Sequence, residues 1–503
     1  MGSLPNGRQL NIESVAIIGA GSSGLAAAKY LLAERAFSRI VIFEQRSKVG
    51  GLWNHVPLGP KDEESLPVPQ TSPDAGLDQR TQGGTDGSPQ SFISPMYDRL
   101  EANIPRNLMR YSDLEWPEEC PLYPRHEQAL EYIRRYGQDV EHLIESSTQV
   151  LDVRLDEDHK WQVKTQLLSS SNGEITEHTF DAVLIANGHF NVPFIPSVPG
   201  IEAWHDAFPG SILHSKLYRR PEDYAGKKVI VVGNSASGTD IAAQIAKVCA
   251  QPLLVSTIAK SPYGPPDESS GMVEKPAIEE FDAVDRTVRF TDGTCESEID
   301  AIVYCTGYFY SYPFLKSLDP PVIGTGRYVQ NTYQHVFYRP QPSLAFLVLN
   351  QAIVPFPFAE AQSAVVARVW SGRVQLPGEA EMETWEKRTE EESGGGAWFH
   401  VLLYPKDANY INFMHDWAAT ADQQHIEHAT NGSAQASDKA TVGKTPPYWG
   451  EKECWTRENF VFIKKAYQGL GEERHTKRTL EDVGFDFAAY KKEKEEEDKK
   501  LSC

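Results

Sequence analysis

The sequence predicts an α/β protein in which one dinucleotide-binding, Rossmann-like domain is inserted into another. A strand, a glycine-rich turn, a helix and a second strand follow one another twice along the chain. Both units end alike, at 180–189 and 299–308, with an acidic residue, an apolar strand and a glycine. Such a repeat indicates two dinucleotide sites. The length of 503 residues agrees with this, since single cores stop growing beyond roughly 250–300 residues.

Composition and charge exclude several classes of protein. The net charge of −21 argues against a nucleic-acid-binding protein, which presents a basic face to phosphate. The six cysteines are scattered, so we expect neither a disulfide framework nor a metal site. No stretch approaches the ~20 apolar residues that span a bilayer, and the first residues lack the apolar run of a signal peptide. We therefore expect a cytoplasmic protein without a membrane span; a homodimer is compatible with the sequence, which indicates no oligomeric state.

The first unit has clear local patterns. A strand at Ser14–Ile18 precedes a helix from Leu25 and a strand at 39–44. Residues 55–95, rich in Pro, Gly, Ser and Asp, predict a long loop. Apolar residues at helical spacing then predict a helix at 127–144. Strands follow at 149–155, 161–165 and 180–186, the first two as a hairpin.

The second unit repeats the order. Strands at 227–232 and 252–257 flank a helix at 241–248, and the apolar strand within 299–308 closes the unit. Beyond it we predict a strand at 345–349, a helix at 360–370, loops at 391–397 and 421–445, and a charged helix or tail at 491–500.

The first glycine-rich turn is Gly19-Ala20-Gly21-Ser22-Ser23-Gly24. Its glycines permit a tight bend, a close approach of the backbone to a diphosphate, and packing of helix on strand. The helix N-terminus that follows adds N–H groups and a partial positive charge. Glu44 lies 20 residues after Gly24, where an acid that binds ribose hydroxyls is expected. Ordinary turns also contain this glycine pattern, but the strand, helix and acid together predict a dinucleotide site.

Gly50-Gly51-Leu52-Trp53 follows soon after Glu44. Two glycines let the backbone pass close to a ligand, and the tryptophan offers an aromatic wall. A turn with a core tryptophan is the alternative interpretation.

The second turn runs from Gly233 to Gly238, with Ser235 where the pattern has its middle glycine. A capped helix start is the alternative interpretation, since Ser, Thr and Asp favour that position. Residues 256–260 at the end of the next strand include no carboxylate, which would repel a 2′-phosphate. Lys260 would accept that phosphate, or it is a plain surface lysine. The pattern favours NADPH over NADH.

A segment between the two turns identifies a family. Phe208-Pro-Gly210-Ser-Ile-Leu-His214-Ser-Lys-Leu-Tyr218 has the form F-x-G-x-x-x-H-x-x-x-[F/Y]. With the stretch from Asn187 to Gly200 and with Thr306-Gly307-Tyr308, the chain resembles the flavin-containing monooxygenases along nearly its whole length, most closely the soluble fungal type. The resemblance implies FAD in the larger domain, 11–206 with 311–503, and NADPH in the inserted domain, 207–310.

At the positions that match the family's motifs, the resemblance implies the roles that those positions have in the family. FAD contacts are implied at Gly19, Ala20, Gly21, Ser22, Ser23, Gly24, Glu44, Gly51, Leu52, Trp53, Val150 and Gln362. NADPH phosphate contacts are implied at Ser235, Ser237, Gly238, Thr239 and Asp240. Asn103 matches the family's active-site asparagine, although taken alone it could cap a turn before Pro105. His214 is expected to brace the interdomain region.

The resemblance also implies a reaction. NADPH reduces FAD, O₂ adds to give a C4a-hydroperoxyflavin, and a soft nitrogen or sulfur nucleophile of a small molecule takes one oxygen atom in a dry cleft. N-hydroxylation, N-oxidation and S-oxidation all fit, including in secondary metabolism.

Three other classes of flavoprotein are alternatives to an N- or S-oxygenating monooxygenase. A Baeyer–Villiger oxygenase acts on ketones, but that group's signature ends in Trp where this chain has Tyr218. A flavoprotein disulfide reductase needs a redox-active cysteine pair, and the nearest two here are Cys295 and Cys305. A non-enzymatic flavoprotein that binds a partner is the remote alternative.

Overall fold

The computed structural model describes residues 10–59, 66–74, 91–169, 173–260, 264, 270–430 and 442–501. Strands and helices are numbered in chain order. The larger sheet has seven strands in the order β18 (Thr332–Tyr333), β19 (Phe337–Tyr338), β20 (Leu344–Phe346), β7 (Ala182–Ile185), β1 (Ser14–Ile18), β2 (Arg39–Phe43) and β3 (Ile144–Glu145). The smaller sheet has five, in the order β12 (Met272–Lys275), β11 (Leu253–Ser256), β10 (Val229–Val232), β16 (Ala301–Tyr304) and β9 (Ile212–His214).

Shorter strands and the helices cover these sheets. The helices are α1 (Ser22–Glu34), α2 (His126–Gly137), α3 (Ile201–Ala207), α4 (Ala236–Ile245), α5 (Pro355–Trp370), α6 (Glu379–Ser393), α7 (Lys406–Thr430), α8 (Glu451–Gly469) and α9 (Phe487–Leu501). The other strands are β4 (Thr148–Leu155), β5 (Trp161–Leu167) and β6 (Ile175–Phe180) in one antiparallel sheet, β13 (Ile278–Asp282), β14 (Thr287–Phe290) and β15 (Cys295–Ser297) in another, and the pair β8 (Val192–Pro193) with β17 (Tyr308–Phe309).

Strand β1 shows why the larger sheet, which is parallel from β20 to β3 and antiparallel at β18 and β19, is buried on both faces at its centre. It pairs in parallel with β2 on one side and β7 on the other. Alternate side chains point to opposite faces of a strand. Val15 and Ile17 pack into the cluster formed with helices α1, α2 and α5, whereas Ala16 and Ile18 pack against Trp161 and the β4–β5–β6 sheet. Both faces are covered, which explains the continuous apolar run.

The smaller sheet follows the same plan. Val229 and Val231 of β10 pack against Ile241 and the rest of α4, and Ile230 packs against Trp204 of α3 on the other face. Strands β9 to β16 fall within 207–310, and strands of the larger sheet come from both sides of that stretch. All of helix α3 except its last residue, Ala207, comes before the predicted boundary at 207, yet the helix packs on the smaller sheet.

Asp181 and Asp300, the acidic residues near the end of the two units, have the same structural role, because each binds a backbone N–H at the start of the first strand of its unit. The Asp181 carboxylate accepts a hydrogen bond of 2.8 Å from the Ser14 N–H at the start of β1. Asp300 accepts one of 2.8 Å from the Lys228 N–H beside β10. The strand predicted at 180–186 is divided at Asp181, because Phe180 is the last residue of β6 and β7 begins at Ala182 in a different sheet.

Several predicted boundaries differ from the structure. The helix predicted at 360–370 begins at Pro355, because a proline in the first turn loses no helical hydrogen bond. The helix predicted from 241 begins at Ala236, and the one at 127–144 ends at Gly137, followed by a 3-10 turn. The predicted hairpin is present as β4 and β5, and the charged 491–500 segment lies in α9.

The predicted loops were only partly right. The loop prediction for 421–445 was wrong for 421–430, where α7 continues, and residues 431–441 lie outside the described residues. Residues 391–393 belong to α6. Both stretches are polar, and polarity alone does not distinguish a solvated helix from a loop. The described parts of 55–95 contain no helix or strand, only turns, bends and isolated bridge residues. Within the described part of the chain, no helix is both long and apolar enough for a membrane crossing.

Candidate active site

Both glycine-rich turns open into one cleft of about 700 Å³. The cleft lies at the carboxyl ends of β1 and β10, where open α/β sheets bind their ligands. Most of the residues expected from the sequence line it, namely Gly19, Gly21, Ser22, Ser23, Glu44, Gly51, Leu52, Trp53, Asn103, Val150, Ser237, Gly238, Thr239 and Asp240.

The first turn leaves no room for side chains at two of its glycines. Gly19 has a φ of +107°, and a Cβ there would lie 2.7 Å from the Ala186 carbonyl oxygen. A Cβ on Gly24 would lie 1.9 Å from the Gly19 carbonyl oxygen. The chain therefore passes from β1 into α1 in a bend that only glycine permits. The free N–H groups at the start of α1 face a place where a diphosphate fits.

The second turn has the same geometry. Gly233 has a φ of +105°, and its Cβ would lie 2.6 Å from the Cys305 carbonyl oxygen. A Cβ on Gly238 would lie 2.0 Å from the Gly233 carbonyl oxygen. Ser235 is exposed and does not line the cleft. The serine therefore leaves the bend unaltered.

Glu44 ends β2 as predicted and is 5% exposed. Its carboxylate accepts hydrogen bonds from the N–H groups of Ala20 (2.8 Å) and Arg46 (2.7 Å). Burial raises the pKa of Glu44, and these two N–H groups act in the opposite direction. The carboxylate thus ties the turn to the end of β2 while lining the cleft, where it can accept from hydroxyl groups of a bound ribose.

The glycine pair after β2 packs against the first turn. Gly50 has a φ of +118° and donates from its N–H to the Ala20 carbonyl at 3.0 Å. Gly51 has a φ of +55°, and a Cβ on it would lie 3.1 Å from the Cα of Gly21. Leu52 and Trp53 follow in a 3-10 turn along the cleft wall. The pair is needed for close backbone contact, and Trp53 is half-buried at the cleft rather than a core residue.

Asn103 presents its exposed side chain to the cleft. The residues beside it are fixed, since the Ala102 N–H donates to the Pro124 carbonyl at 2.8 Å and Ile104 and Pro105 are buried. A rigid backbone carrying a free amide suits contact with a bound ligand better than the capping of a turn.

Asp240 lies in α4 at the edge of the cleft, bonded to protein groups. Its carboxylate accepts from the Tyr97 hydroxyl at 2.5 Å and from the Gln244 amide at 3.0 Å. Burial raises the pKa of Asp240, and the hydrogen bond from Tyr97 counters that shift. The side chain ties α4 to the segment before Asn103, and a carboxylate repels phosphate, while the phosphate contact expected at Asp240 stays a prediction.

Four of the expected contact residues do not line the cleft: Ala20, Gly24, Ser235 and Gln362. Ala20 supports Glu44 through its N–H, and Gly24 permits the close packing described above. Gln362 was expected to open a helix but lies in the interior of α5, fully buried. Its side chain accepts from the Val348 N–H at 2.7 Å and donates to the Tyr410 hydroxyl at 3.1 Å. It supports Val348, which does line the cleft.

His214 is structural, in agreement with the expectation. It is fully buried, with Nε2 3.0 Å from the Gly307 carbonyl oxygen and with Nδ1 accepting from the Lys216 N–H at 3.1 Å. Burial lowers the pKa of His214 to about 3, so the ring is neutral. It joins β9 to the segment after β16.

The structure adds cleft residues that sequence motifs did not indicate. Tyr97 lies two residues beyond the loop predicted at 55–95, and His189 follows β7, with burial lowering the pKa of His189 to about 4. Val461, Lys464, Lys465 and Gln468 come from α8. Tyr97 stands in an apolar stretch, Phe92 to Tyr97, whose composition departs from the loop before it, and that was an available signal. Helix α8 carries no motif.

Comparisons with known proteins agree with this geometry. The model of the family described as flavin-binding monooxygenase-like matches residues 81–261 and 269–425, and that of an NAD(P)-binding Rossmann-like domain matches 17–69. Flavin-containing monooxygenase FMO GS-OX-like 1 of Arabidopsis thaliana is 34% identical over 500 residues, covering 95% of this chain and 96% of its own. Flavin-containing monooxygenase iboF of the fungus Amanita muscaria is 27% identical, covering 82% and 89%.

A solved structure is also similar over nearly the whole chain. S-allyl-L-cysteine S-oxygenase from Allium sativum superposes with a TM-score of 0.71 at 26% identity, covering 95% of this chain and 98% of that one.

Proposed function

The chain belongs to the flavin-binding monooxygenase-like family, and on that premise we propose that it transfers one oxygen atom from O₂ to a soft nucleophile, with sulfur as the first candidate. It is an oxidoreductase that uses FAD and NADPH. The observation that supports the proposal is a single cleft onto which two nucleotide turns and Asn103 all open.

We assign FAD to the first turn and NADPH to the second. Glu44 at the end of β2 offers an acceptor for ribose hydroxyls, as expected for a dinucleotide without a 2′-phosphate. Residues 256–260, at and after the end of β11, include no acid that would repel a 2′-phosphate, and the buried Ser256 hydroxyl donates to the Pro276 carbonyl oxygen at 2.9 Å. The discontinuous domain of the larger sheet is therefore the FAD domain, and the inserted domain binds NADPH.

The residues of the cleft fit both cofactors. Bound FAD supplies the redox chemistry, taking electrons from NADPH and passing an oxygen atom from O₂ to the substrate. The chain holds the two cofactors against one another through the glycine turns and excludes water with apolar walls that include Leu52, Trp53 and Phe356. Asn103 lines the cleft and offers an amide that can orient groups bound there.

The side chains of the cleft also favour a substrate that is already nucleophilic. His189, the histidine in the described lining, is neutral because burial lowers its pKa to about 4, and it is 7% exposed. Asp240 is engaged by Tyr97 and Gln244. A thioether sulfur carries no proton and needs no activation by a base, which fits such a cleft, whereas an alkylamine is protonated at neutral pH and must first lose a proton. The related structure is named as an S-oxygenase of S-allyl-L-cysteine, which makes sulfides the first class to test.

The test is a substrate panel with NADPH and O₂. Sulfides, thiols, amines, hydroxylamines and ketones are each incubated with the FAD-loaded protein, and products are sought by mass spectrometry as the addition of one oxygen. Sulfoxides or N-oxides formed with matching NADPH consumption support the proposal. Esters or lactones from the ketones would favour the Baeyer–Villiger alternative, and a protein that takes up no FAD or consumes no NADPH would refute both.

A further inference from the structure

Helix α8 forms part of the cleft although it lies outside the stretch that the family model matches. That match ends at residue 425, whereas α8 runs from Glu451 to Gly469. Four of its residues line the cleft, namely Val461, Lys464, Lys465 and Gln468. Apart from Gly264, the other lining residues fall within the stretches 17–69, 81–261 and 269–425 that the two family models match, so α8 adds a wall from outside them.

Lys464 makes the most specific contact. Its Nζ donates to the Ala102 carbonyl oxygen at 2.9 Å, on the residue immediately before Asn103. The ammonium lies 4.1 Å from the centre of the Tyr123 ring, and the side chain is 12% exposed. A hydrogen bond from a charged donor is stronger than one from a neutral donor, and this one is largely shielded from water. It fixes the peptide that precedes Asn103.

Glu101, the residue before Ala102, is a second position at which residues from the C-terminal part of the chain bind the segment that leads to Asn103. Its carboxylate is 3.0 Å from an Arg474 guanidinium nitrogen, 3.5 Å from His475 Nδ1 and 4.0 Å from Lys464 Nζ. Residues 101 and 102 are thus both bound by groups from 464–475. The residue after them is exposed to the cleft and would otherwise depend on its own loop for orientation.

Helix α8 is itself fixed in place. Arg457 Nε donates to Asp407 of α7 at 2.6 Å, and Arg457 Nη2 donates to the Ala352 carbonyl at 2.7 Å. Ile463 and Tyr467, on either side of Lys464, are fully buried. A donor on such a helix keeps its position, which a donor on a mobile loop would not.

We propose that Lys464 is a positioning residue for Asn103, and that through it α8 sets how efficiently NADPH oxidation is coupled to oxygenation of the substrate. This inference rests on the proposed function for the role of Asn103, but the contact itself does not. When the Ala102 carbonyl is released, the Asn103 amide moves, and misplacement of a group near the reacting atoms lowers efficiency steeply.

The charges around Lys464 give the proposal a pH signature. The ammonium faces Glu101 and Arg474, Asp240 on α4, and the rings of Tyr123 and Tyr467. Burial lowers the pKa of Lys464 to about 8, while Asp240 and Glu101 raise it in opposition. Above that pH the neutral amine loses its attraction to both carboxylates, so we expect coupling in the wild type to fall as the pH rises through about 8.

The experiment compares Lys464→Met and Lys464→Arg with Lys452→Met, an exposed lysine at the start of the same helix. In the FAD-loaded full chain, product formed per NADPH consumed is measured with a sulfide, from pH about 6.5 to about 9.5. Hydrogen–deuterium exchange of the peptide that contains Ala102 and Asn103 is measured in parallel. We expect Lys464→Met to retain FAD, to lower coupling about tenfold and to remove its pH dependence, with faster exchange at that peptide. Lys464→Arg restores coupling and, since arginine stays charged, extends it to high pH.

Other results would contradict either the role of Lys464 or the proposed function, and the two cases can be distinguished. Unchanged exchange and coupling in Lys464→Met would overturn the inference, and so would faster exchange along all of α8 with loss of FAD, which indicates a purely structural lysine. A wild-type protein that oxygenates nothing in the panel would refute the proposed function instead, while the exchange comparison still tests the contact.

Discussion

Gly21 and Ser235 have the same backbone conformation at the N-termini of the helices that follow the two glycine turns. Gly21 has φ −80° and ψ −173°, and Ser235 has φ −82° and ψ −165°. The serine side chain makes no capping hydrogen bond and points away from the cleft lining. A Cβ on Gly21 would meet only Gly51, at an ordinary contact distance of 3.6 Å. The protein alone would therefore accept a side chain at both positions, and we infer that the glycine of the first turn is needed for the close approach of a bound diphosphate.

We expect Gly21→Val to fold but to bind little FAD, because the side chain occupies the space into which the diphosphate fits. The flavin bound per chain should fall about tenfold or more, while the melting temperature without added flavin stays within a few degrees of the wild type. Absorbance of the purified protein and thermal unfolding measure the two quantities. Ser235→Val is the matched control and should retain FAD; if Gly21→Val stays yellow, the diphosphate does not lie at this turn.

The equivalent serines Ser23 and Ser237 distinguish the two cofactor sites. Each lies in the first turn of its helix and lines the cleft, so an aspartate at either position places a negative charge beside a bound phosphate. Ser23→Asp should lower FAD content and leave the dissociation constant of NADPH for the reconstituted protein little changed. Ser237→Asp should keep FAD and raise that constant about tenfold or more. Flavin absorbance and a fluorescence titration with NADPH test the pair, and the reverse result would mean that the two assignments are exchanged.

Much of the fold could be predicted because it is encoded locally. The apolar runs at Ser14–Ile18 and 227–232 are buried on both faces, so they differ from any surface segment, and the glycines at 19 and 233 occupy backbone conformations that other residues rarely adopt. Motifs with fixed spacing located Glu44 at the end of β2 for the same reason. The start of α5 at Pro355 was missed because a proline begins a helix as readily as it ends one.

The unpredicted parts of the site depend on contacts between distant segments. Gln362 lies behind the cleft wall because it comes seven residues after the start of α5, in the buried middle of the helix. Its hydrogen-bond partners, Val348 and Tyr410, are brought to it by packing. Lys464 contacts Ala102, which is 362 positions away in the sequence. Neither local periodicity nor a motif reports such a contact.

We expect Asn103→Ala to separate the consumption of NADPH from the formation of product. The exposed amide faces the cleft and can donate to oxygen atoms in the reacting region, and removal of one such donor typically lowers the rate about 10²-fold or more. NADPH oxidation should continue and yield hydrogen peroxide in place of oxygenated substrate. The ratio of product to NADPH, with peroxide assayed in the same sample, is the measurement.

Asn107 provides the control for that variant. It lies on the same loop but does not line the cleft, so Asn107→Ala should keep the wild-type ratio. Equal ratios in the Asn103→Ala and wild-type proteins would exclude Asn103 from the active site.

His335 and His400 form a buried pair, with their Nδ1 atoms 3.0 Å apart and exposures of 3% and 1%. Nε2 of His400 lies 3.1 Å from the Val329 nitrogen and 3.2 Å from the Val329 carbonyl oxygen, and one proton between the two Nδ1 atoms joins the two neutral rings. Burial lowers the pKa of His335 to about 3, and burial together with the neighbouring ring lowers that of His400 well below its usual range. The folded protein therefore keeps both rings neutral.

This pair should make the fold sensitive to acid. In the unfolded chain both histidines titrate near 6.5, so as the pH falls below that value the unfolded state takes up protons that the folded state refuses. The stability contributed by the neutral pair is complete above pH about 6.5 and is lost toward pH about 3, at about 1.4 kcal/mol per pH unit for each histidine. Urea unfolding at pH 7 and pH 5.5 should show that the double variant His335→Asn, His400→Gln loses about 2 kcal/mol less over this interval than the wild type. His142→Asn, at an exposed histidine, should lose as much as the wild type. An identical pH dependence in the double variant and the wild type would mean that the pair is already charged, or open to water, in the folded protein.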